Sequence, residues 1–277
     1  MLEHGGRLRR AAMDYAIPPG EWLDLSTGIN PLGWPVPVLP GEVWNRLPEV
    51  DDGLEEAARD YYGVESLLPV AGSQAAIQAL PHLRRPCRVG LLDNSYAEHR
   101  LAWARAGHTV IPLAGQGEIE RQLSQLDVLV LVRPNNPTGV IFPRERLLAW
   151  HANLVARGGW LLVDEAFMDA TPQQSLLIHA RPGLIVLRSL GKFFGLAGAR
   201  VGFVHAQVEL LTRLADRLGP WGVSGPARWV ASAALGDKAW QAEARLRLMQ
   251  SGERLSELLR RYGLKPEGGC ALFQWVI

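Results

Sequence analysis

Lys192 stands in SLGKFFGLAGAR (189–200), three residues after Ser189 and eight before Arg200, directly behind the apolar run LIVLR. An amine at a strand end can form a Schiff base with an aldehyde. A hydroxyl and a guanidinium at these spacings can grip an anion beside it. A solvated lysine needs none of that company. Four more stretches place chemistry-bearing residues behind apolar runs. AGSQAAI (71–77) follows LLPVA and opens a helix, so the amides of Gly72, Ser73 and Gln74, with the Ser73 hydroxyl, can hold a phosphate. A simple N-capping serine accounts for the same residues. DNSYAEHR (93–100) puts Tyr96 behind RVGLL, where its ring can stack on a flat ligand or pack into the core. RPNNPTG (133–139) brackets Asn135 and Asn136 with prolines, as a rigid mount for a carboxamide donor or as a plain turn. VDEAF (163–167) sets Asp164 behind apolar residues, where a carboxylate must find a cation or donor or cap the next segment.

These stretches supply a phosphate cup, a stacking ring, a donor for a ring oxygen, a carboxylate for a ring nitrogen and an amine for an aldehyde. That inventory complements pyridoxal 5′-phosphate. Competing chemistries lack their partners: S-x-x-K occurs without SDN or KTG, and neither G-x-x-x-x-G-K-[ST] nor G-x-G-x-x-G is present.

The elements that must carry these residues read as alternating strands and helices. Strands are expected at LLPVA, RVGLL, TVIPL, DVLVLV, WLLVDEA, LIVLRS and RVGFV. Helices are expected after Asp51/Asp52 up to Gly63, near 74–80, 98–106, 118–125, 144–157 and 207–218, and as one long helix from Arg228 to Tyr262. Runs apolar on both faces belong to strands buried between two helix layers, so the fold class is α/β with a mainly parallel seven-stranded sheet. In such sheets ligands sit at the carboxyl ends of the strands, where the odd residues gather. Residues 1–50, with AIPPG and GINPLGWPVPVLPG, read as an irregular arm. CALFQWVI begins like a strand and stops, which predicts a smaller second domain that is C-terminally incomplete. The expected division is an arm with part of the small domain (1–45), a large cofactor-binding domain (46–225) and the small domain (226–277).

With these motifs the chain resembles the fold-type I pyridoxal-phosphate enzymes of the class I/II aminotransferase superfamily, from about residue 24 onward. NPTG (136–139), Asp164, Ser189-x-x-Lys192 and Arg200 carry the resemblance in order. HGG (4–6), DLSTGINPLG (24–33), YAEHR (96–100), DEAF (164–167) and PWGVSGPA (220–227) are similar to the threonine-phosphate decarboxylase group, near relatives of histidinol-phosphate aminotransferases. Phe167 fits that group, where most of the aminotransferases carry a tyrosine. The resemblance implies that Lys192 bonds the cofactor, Asp164 holds its ring nitrogen, Asn136 meets its ring oxygen and Tyr96 stacks. It gives the phosphate to Gly72, Ser73, Gln74, Ser189 and Arg200, and the substrate to His4, Gly28 and Asn30. The implied reaction is decarboxylation of L-threonine O-3-phosphate, with amino transfer, or cofactor binding without turnover, as the alternatives. A homodimer is implied too, and the substrate-carboxylate arginine of the family would fall past residue 277.

Composition narrows the partners. With 29 Lys+Arg against 28 Asp+Glu the net charge is +1, which gives no electrostatic footprint for nucleic acid or an anionic membrane. Two cysteines, Cys87 and Cys270, form no metal-binding spacing and suit a reducing cytoplasm. No apolar run approaches the ~20 residues of a membrane span.

Overall fold

The computed structural model describes residues 3–177 and 181–277. Seven strands build the main sheet: β1 (Leu68–Val70), β2 (Arg88–Leu92), β3 (Thr109–Leu113), β4 (Val128–Val132), β5 (Trp160–Asp164), β6 (Leu184–Ser189) and β7 (Gly202–His205). Each falls on a run expected from the sequence, β7 ending one residue past RVGFV at His205. Their order is β1-β7-β6-β5-β4-β2-β3, with β7 antiparallel to both neighbours and the remaining pairs parallel. β4, VLVLV, is buried at every position, as a central strand covered on both faces must be.

Ten helices occur among the described residues: α1 (Leu8–Tyr15), α2 (Glu42–Asn45), α3 (Leu54–Tyr62), α4 (Ser73–Ala79), α5 (Ala97–Arg105), α6 (Gln116–Gln122), α7 (Arg144–Val155), α8 (Val208–Leu218), α9 (Gly225–Gly236) and α10 (Lys238–Arg261). Strand alternation divides the core in two. Leu129, Leu131, Leu161, Val163 and Val186 pack with Leu54 of α3, Leu147 of α7 and Ala231 of α9. Val128, Val130, Leu162, Ile185 and Leu187 pack on the other face with Ile77 of α4, Trp103 of α5 and Leu214 of α8. Each Val, Leu or Ile among them contributes roughly 1.5–3 kcal/mol by leaving water.

Three expectations need correction. The long helix over 228–262 is two helices, because Asp237 leaves the helical region (φ −83°, ψ 76°) and its carboxylate caps α10 by accepting from the Trp240 N–H at 3.0 Å. The arm is not irregular throughout: Leu8–Tyr15 is helical although only Ala12 of it is buried. CALFQWVI is not one strand either. Gly268–Cys270 (β8) and Phe273–Trp275 (β9) pair antiparallel, so the segment turns back at Ala271 and Leu272.

The sheet order brings the carboxyl ends of β1, β2, β4, β5 and β6 to one edge. β7 runs the other way, so the segment that leads into it, with Arg200, reaches the same edge. No helix among the described residues is long and apolar enough to cross a membrane.

Candidate active site

Asp164 is the last residue of β5 and is 3% exposed. Its Oδ2 lies 3.0 Å from His99 Nε2, and its Oδ1 accepts from the Ala166 N–H at 3.1 Å. Lys192 reaches the same place from the loop after β6, with its Nζ 5.1 Å from the centre of the Phe167 ring. Burial, the largest influence, pulls the lysine amine below its ordinary 10.5; Asp164 opposes that and Arg200 adds to it. No acceptor among the described residues bonds the amine, so what holds it is the shape and charge of its surroundings.

The groups expected to hold an anion form a second cluster. Gly72 adopts φ +72°, and a Cβ there would stand 2.5 Å from Arg200 Nη2, so only glycine lets the guanidinium lie against this turn. Arg200 itself is left-handed at φ +57°, and its Nη1 donates to the Ala197 carbonyl at 3.4 Å. The N–H of Gly72 is already given to the Val70 carbonyl at 2.6 Å. That removes it from the expected set of phosphate donors; what Gly72 brings is the missing side chain. The N–H groups of Ser73 and Gln74 open α4 with no backbone acceptor among the described residues. Ser189 ends β6, and its hydroxyl accepts from the Gly191 N–H at 3.2 Å.

Tyr96 opens α5 between the two clusters. Its hydroxyl sits 3.5 Å from Gln74 Oε1, and its proton is held up to about 12, mainly by burial, with Glu98 and Asp164 adding. The Gln74 side chain turns to Glu98, donating at 2.8 Å, and His4 Nε2 lies 2.7 Å from the other oxygen of the same carboxylate. Burial alone would raise Glu98, but His4 and Gln74 outweigh it and hold the carboxyl below its ordinary value.

The two asparagines of RPNNPTG part company. Asn135 is 1% exposed and consumed by the turn, donating to the Asn94 carbonyl and Thr138 Oγ1 and accepting from Ser95. Asn136 makes no side-chain hydrogen bond among the described residues and is the one left for a ligand. Gly28 of the arm lies under Phe167, where a Cβ would approach the ring to 2.9 Å. Asn30 differs most from expectation: it is buried and spends its amide on protein, donating from Nδ2 to the Phe193 carbonyl at 2.8 Å and accepting from the Leu32 N–H at 3.0 Å. Its side chain is tied to the lysine loop.

Residues 39–276 match the family model of aminotransferase class I and II. The chain belongs to that family. It is 60% identical over 278 residues to a threonine-phosphate decarboxylase of Pseudomonas aeruginosa, covering all of this chain and 84% of that protein. A threonine-phosphate decarboxylase of Sinorhizobium is 42% identical over 280 residues, covering 98% and 82%. The fold of this family member also superposes on a histidinol-phosphate aminotransferase of Clostridium acetobutylicum, with TM-score 0.75 and 22% identity, covering 86% of this chain and 77% of that one.

The family's cofactor is pyridoxal 5′-phosphate, and the residues present fit it. An unpaired, half-buried amine faces a buried carboxylate, while an arginine, two free backbone N–H groups and a glycine without room for a Cβ make an anion cradle. His99 escaped the sequence reading, although it lies three residues after Tyr96 on the same helix face. Glu165, Arg133 and Arg188 escaped it too. Their signal was a charge inside or beside an apolar strand.

Proposed function

We propose that this chain is a pyridoxal 5′-phosphate-dependent lyase that releases CO₂ from L-threonine O-3-phosphate, giving (R)-1-amino-2-propanol O-2-phosphate for cobalamin biosynthesis. The observation that carries the reading is Lys192, an amine below its ordinary titration range, beside Asp164 and over Phe167. The kinship with the Pseudomonas aeruginosa decarboxylase supports the choice of substrate.

Bound here, the cofactor supplies an aldehyde for the substrate amine and a ring that accepts the electrons of the breaking bond. Lys192 would carry the cofactor aldehyde, and its amine, once freed, would be placed to move a proton at the substrate Cα. Asp164, bonded to His99, would meet the ring nitrogen. Tyr96 would cover the ring and Asn136 would donate to its ring oxygen. Arg200, Ser73, Ser189 and the Ser73 and Gln74 amides would hold the phosphate. His4 and Gly28 would border the substrate from the arm.

The chain divides into an arm (1–45), a cofactor domain (46–225) and a smaller domain (226–277) on this reading. It acts as a homodimer in the cytoplasm. The exposed Leu23, Leu25, Val38 and Trp44 of the arm support a subunit contact, and the unpaired thiols of Cys87 and Cys270 suit a reducing compartment. A mass measurement in solution tests the dimer: a monomer contradicts it. The function is tested by supplying O-phospho-L-threonine with the cofactor and measuring CO₂. Amino transfer to a keto acid without CO₂ would move the chain to the aminotransferase reading.

A further inference from the structure

The loop that carries Lys192 closes on itself twice, the Gly195 N–H donating to the Lys192 carbonyl and the Leu196 N–H to the Leu190 carbonyl, each at 3.1 Å. Its three successive carbonyls from Lys192 to Phe194 are also taken by the N-terminal arm. The Asn30 N–H donates to the Lys192 carbonyl at 3.0 Å, Asn30 Nδ2 to the Phe193 carbonyl at 2.8 Å, and the Trp34 N–H to the Phe194 carbonyl at 2.8 Å. Between these anchors two glycines cross. Gly195 adopts φ +68°, and a Cβ on it would stand 2.5 Å from the Gly33 Cα. The arm is tied in turn to the break between α9 and α10 and to α10 itself. The Trp34 indole N–H donates to Asp237 at 3.1 Å, and the Leu32 carbonyl accepts from Arg247 at 3.0 Å. Trp240 closes the circuit by stacking on Phe194 at 5.6 Å between ring centres.

We infer that Asn30 is a positioning residue for Lys192: with Trp34 it hangs the Lys192–Phe194 backbone from the arm and so sets where the amine is presented. The inference rests on Lys192 as the cofactor-bearing residue. Asn30 suits the task because it is 3% exposed and its two amide ends are divided, one to the loop and one to the Leu32 N–H that shapes its own turn. Without the Nδ2 donor the Phe193 carbonyl would be left buried and unpaired, and the loop would relax toward solvent to satisfy it.

The test uses Asn30→Ala and Asn30→Asp; the second keeps the size and the acceptor for the Leu32 N–H but turns an oxygen toward the Phe193 carbonyl. In cofactor-free protein, hydrogen exchange over 190–196 should quicken on the order of tenfold, with 128–132 unchanged. Amine labelling of Lys192 should titrate closer to an ordinary lysine than in the parent. In loaded protein kcat should fall with KM within about twofold, as expected for lost presentation of the amine. Trp34→Phe should give a smaller quickening in the same segment. Variants that exchange and label like the parent overturn the inference. So does quickening spread equally over 128–132, since Asn30 would then hold the fold and not the loop. A parent that takes up the cofactor without any lysine-linked absorbance band sinks the functional reading instead, while exchange and labelling without cofactor still judge Asn30.

Discussion

Two carboxylates adjacent in sequence, Asp164 at the end of β5 and Glu165 just after it, point to opposite faces of the sheet and have been given opposite surroundings. Glu165 is fully buried among Arg133 at 3.5 Å, Arg188 at 3.0 Å, the Ser175 hydroxyl and the Leu176 N–H at 2.9 Å. Arg188 also pairs with Asp169, which accepts from Tyr61 at 3.0 Å. Every oxygen of Glu165 is spent on protein. Asp164 meets one imidazole and one N–H, and its remaining influence falls on a lysine that bonds nothing. The same functional group is therefore locked into a buried ion-pair cluster on one face and left open beside a lysine on the other. What decides is how many donors the neighbouring strands bring to it.

The largest break of this comparison is Lys192→Ala. It should remove the cofactor's lysine-linked absorbance band and reduce CO₂ release by roughly 10⁴-fold, while the melting temperature stays near that of the parent. Glu165→Gln should do the reverse. It leaves Arg133 and Arg188 short of a buried counter-charge and should cost about 3–5 kcal/mol in denaturant unfolding. Asp164→Asn should lower kcat by roughly 10²–10³-fold with a much smaller loss of stability. If Glu165→Gln and Asp164→Asn lose stability alike, the contrast between the two faces fails.

Titration of Lys192 sharpens the same contrast at smaller amplitude. Asp164 is the influence that raises its amine and Arg200 one that lowers it. Amine labelling of cofactor-free protein should therefore titrate at lower pH in Asp164→Asn and at higher pH in Arg200→Ala than in the parent. Shifts of the opposite signs would mean that these charges do not face the lysine.

The strands were legible because each is a short apolar run bounded by turn residues, and the sheet then had to gather Lys192, Asp164, Asn136, Tyr96 and Ser73 at one edge. What the sequence hid was set by long-range contact. LGDKAW does carry a stop and a cap, Gly236 and Asp237, but an isolated Gly-Asp inside a helical pattern settles little until Asp237 is seen capping Trp240 and bonding Trp34, 203 residues away in sequence. α1 does carry a short apolar stripe, Leu8, Ala11, Ala12 and Tyr15, but it sits in a stretch otherwise rich in Gly and Pro and buries only Ala12. Asn30 was given to the substrate only by the family resemblance of DLSTGINPLG. Its partner lies 163 residues on, in the very loop it supports. The Arg133–Glu165–Arg188 cluster likewise needs three strand ends side by side before its charges make sense.

The most direct test of the central claim is to load the chain with pyridoxal 5′-phosphate, add O-phospho-L-threonine and follow CO₂ and aminopropanol phosphate together. The account predicts the two in equal amounts over many turnovers, abolished in Lys192→Ala. Cofactor uptake with neither product formed, or release undiminished in that variant, would contradict it.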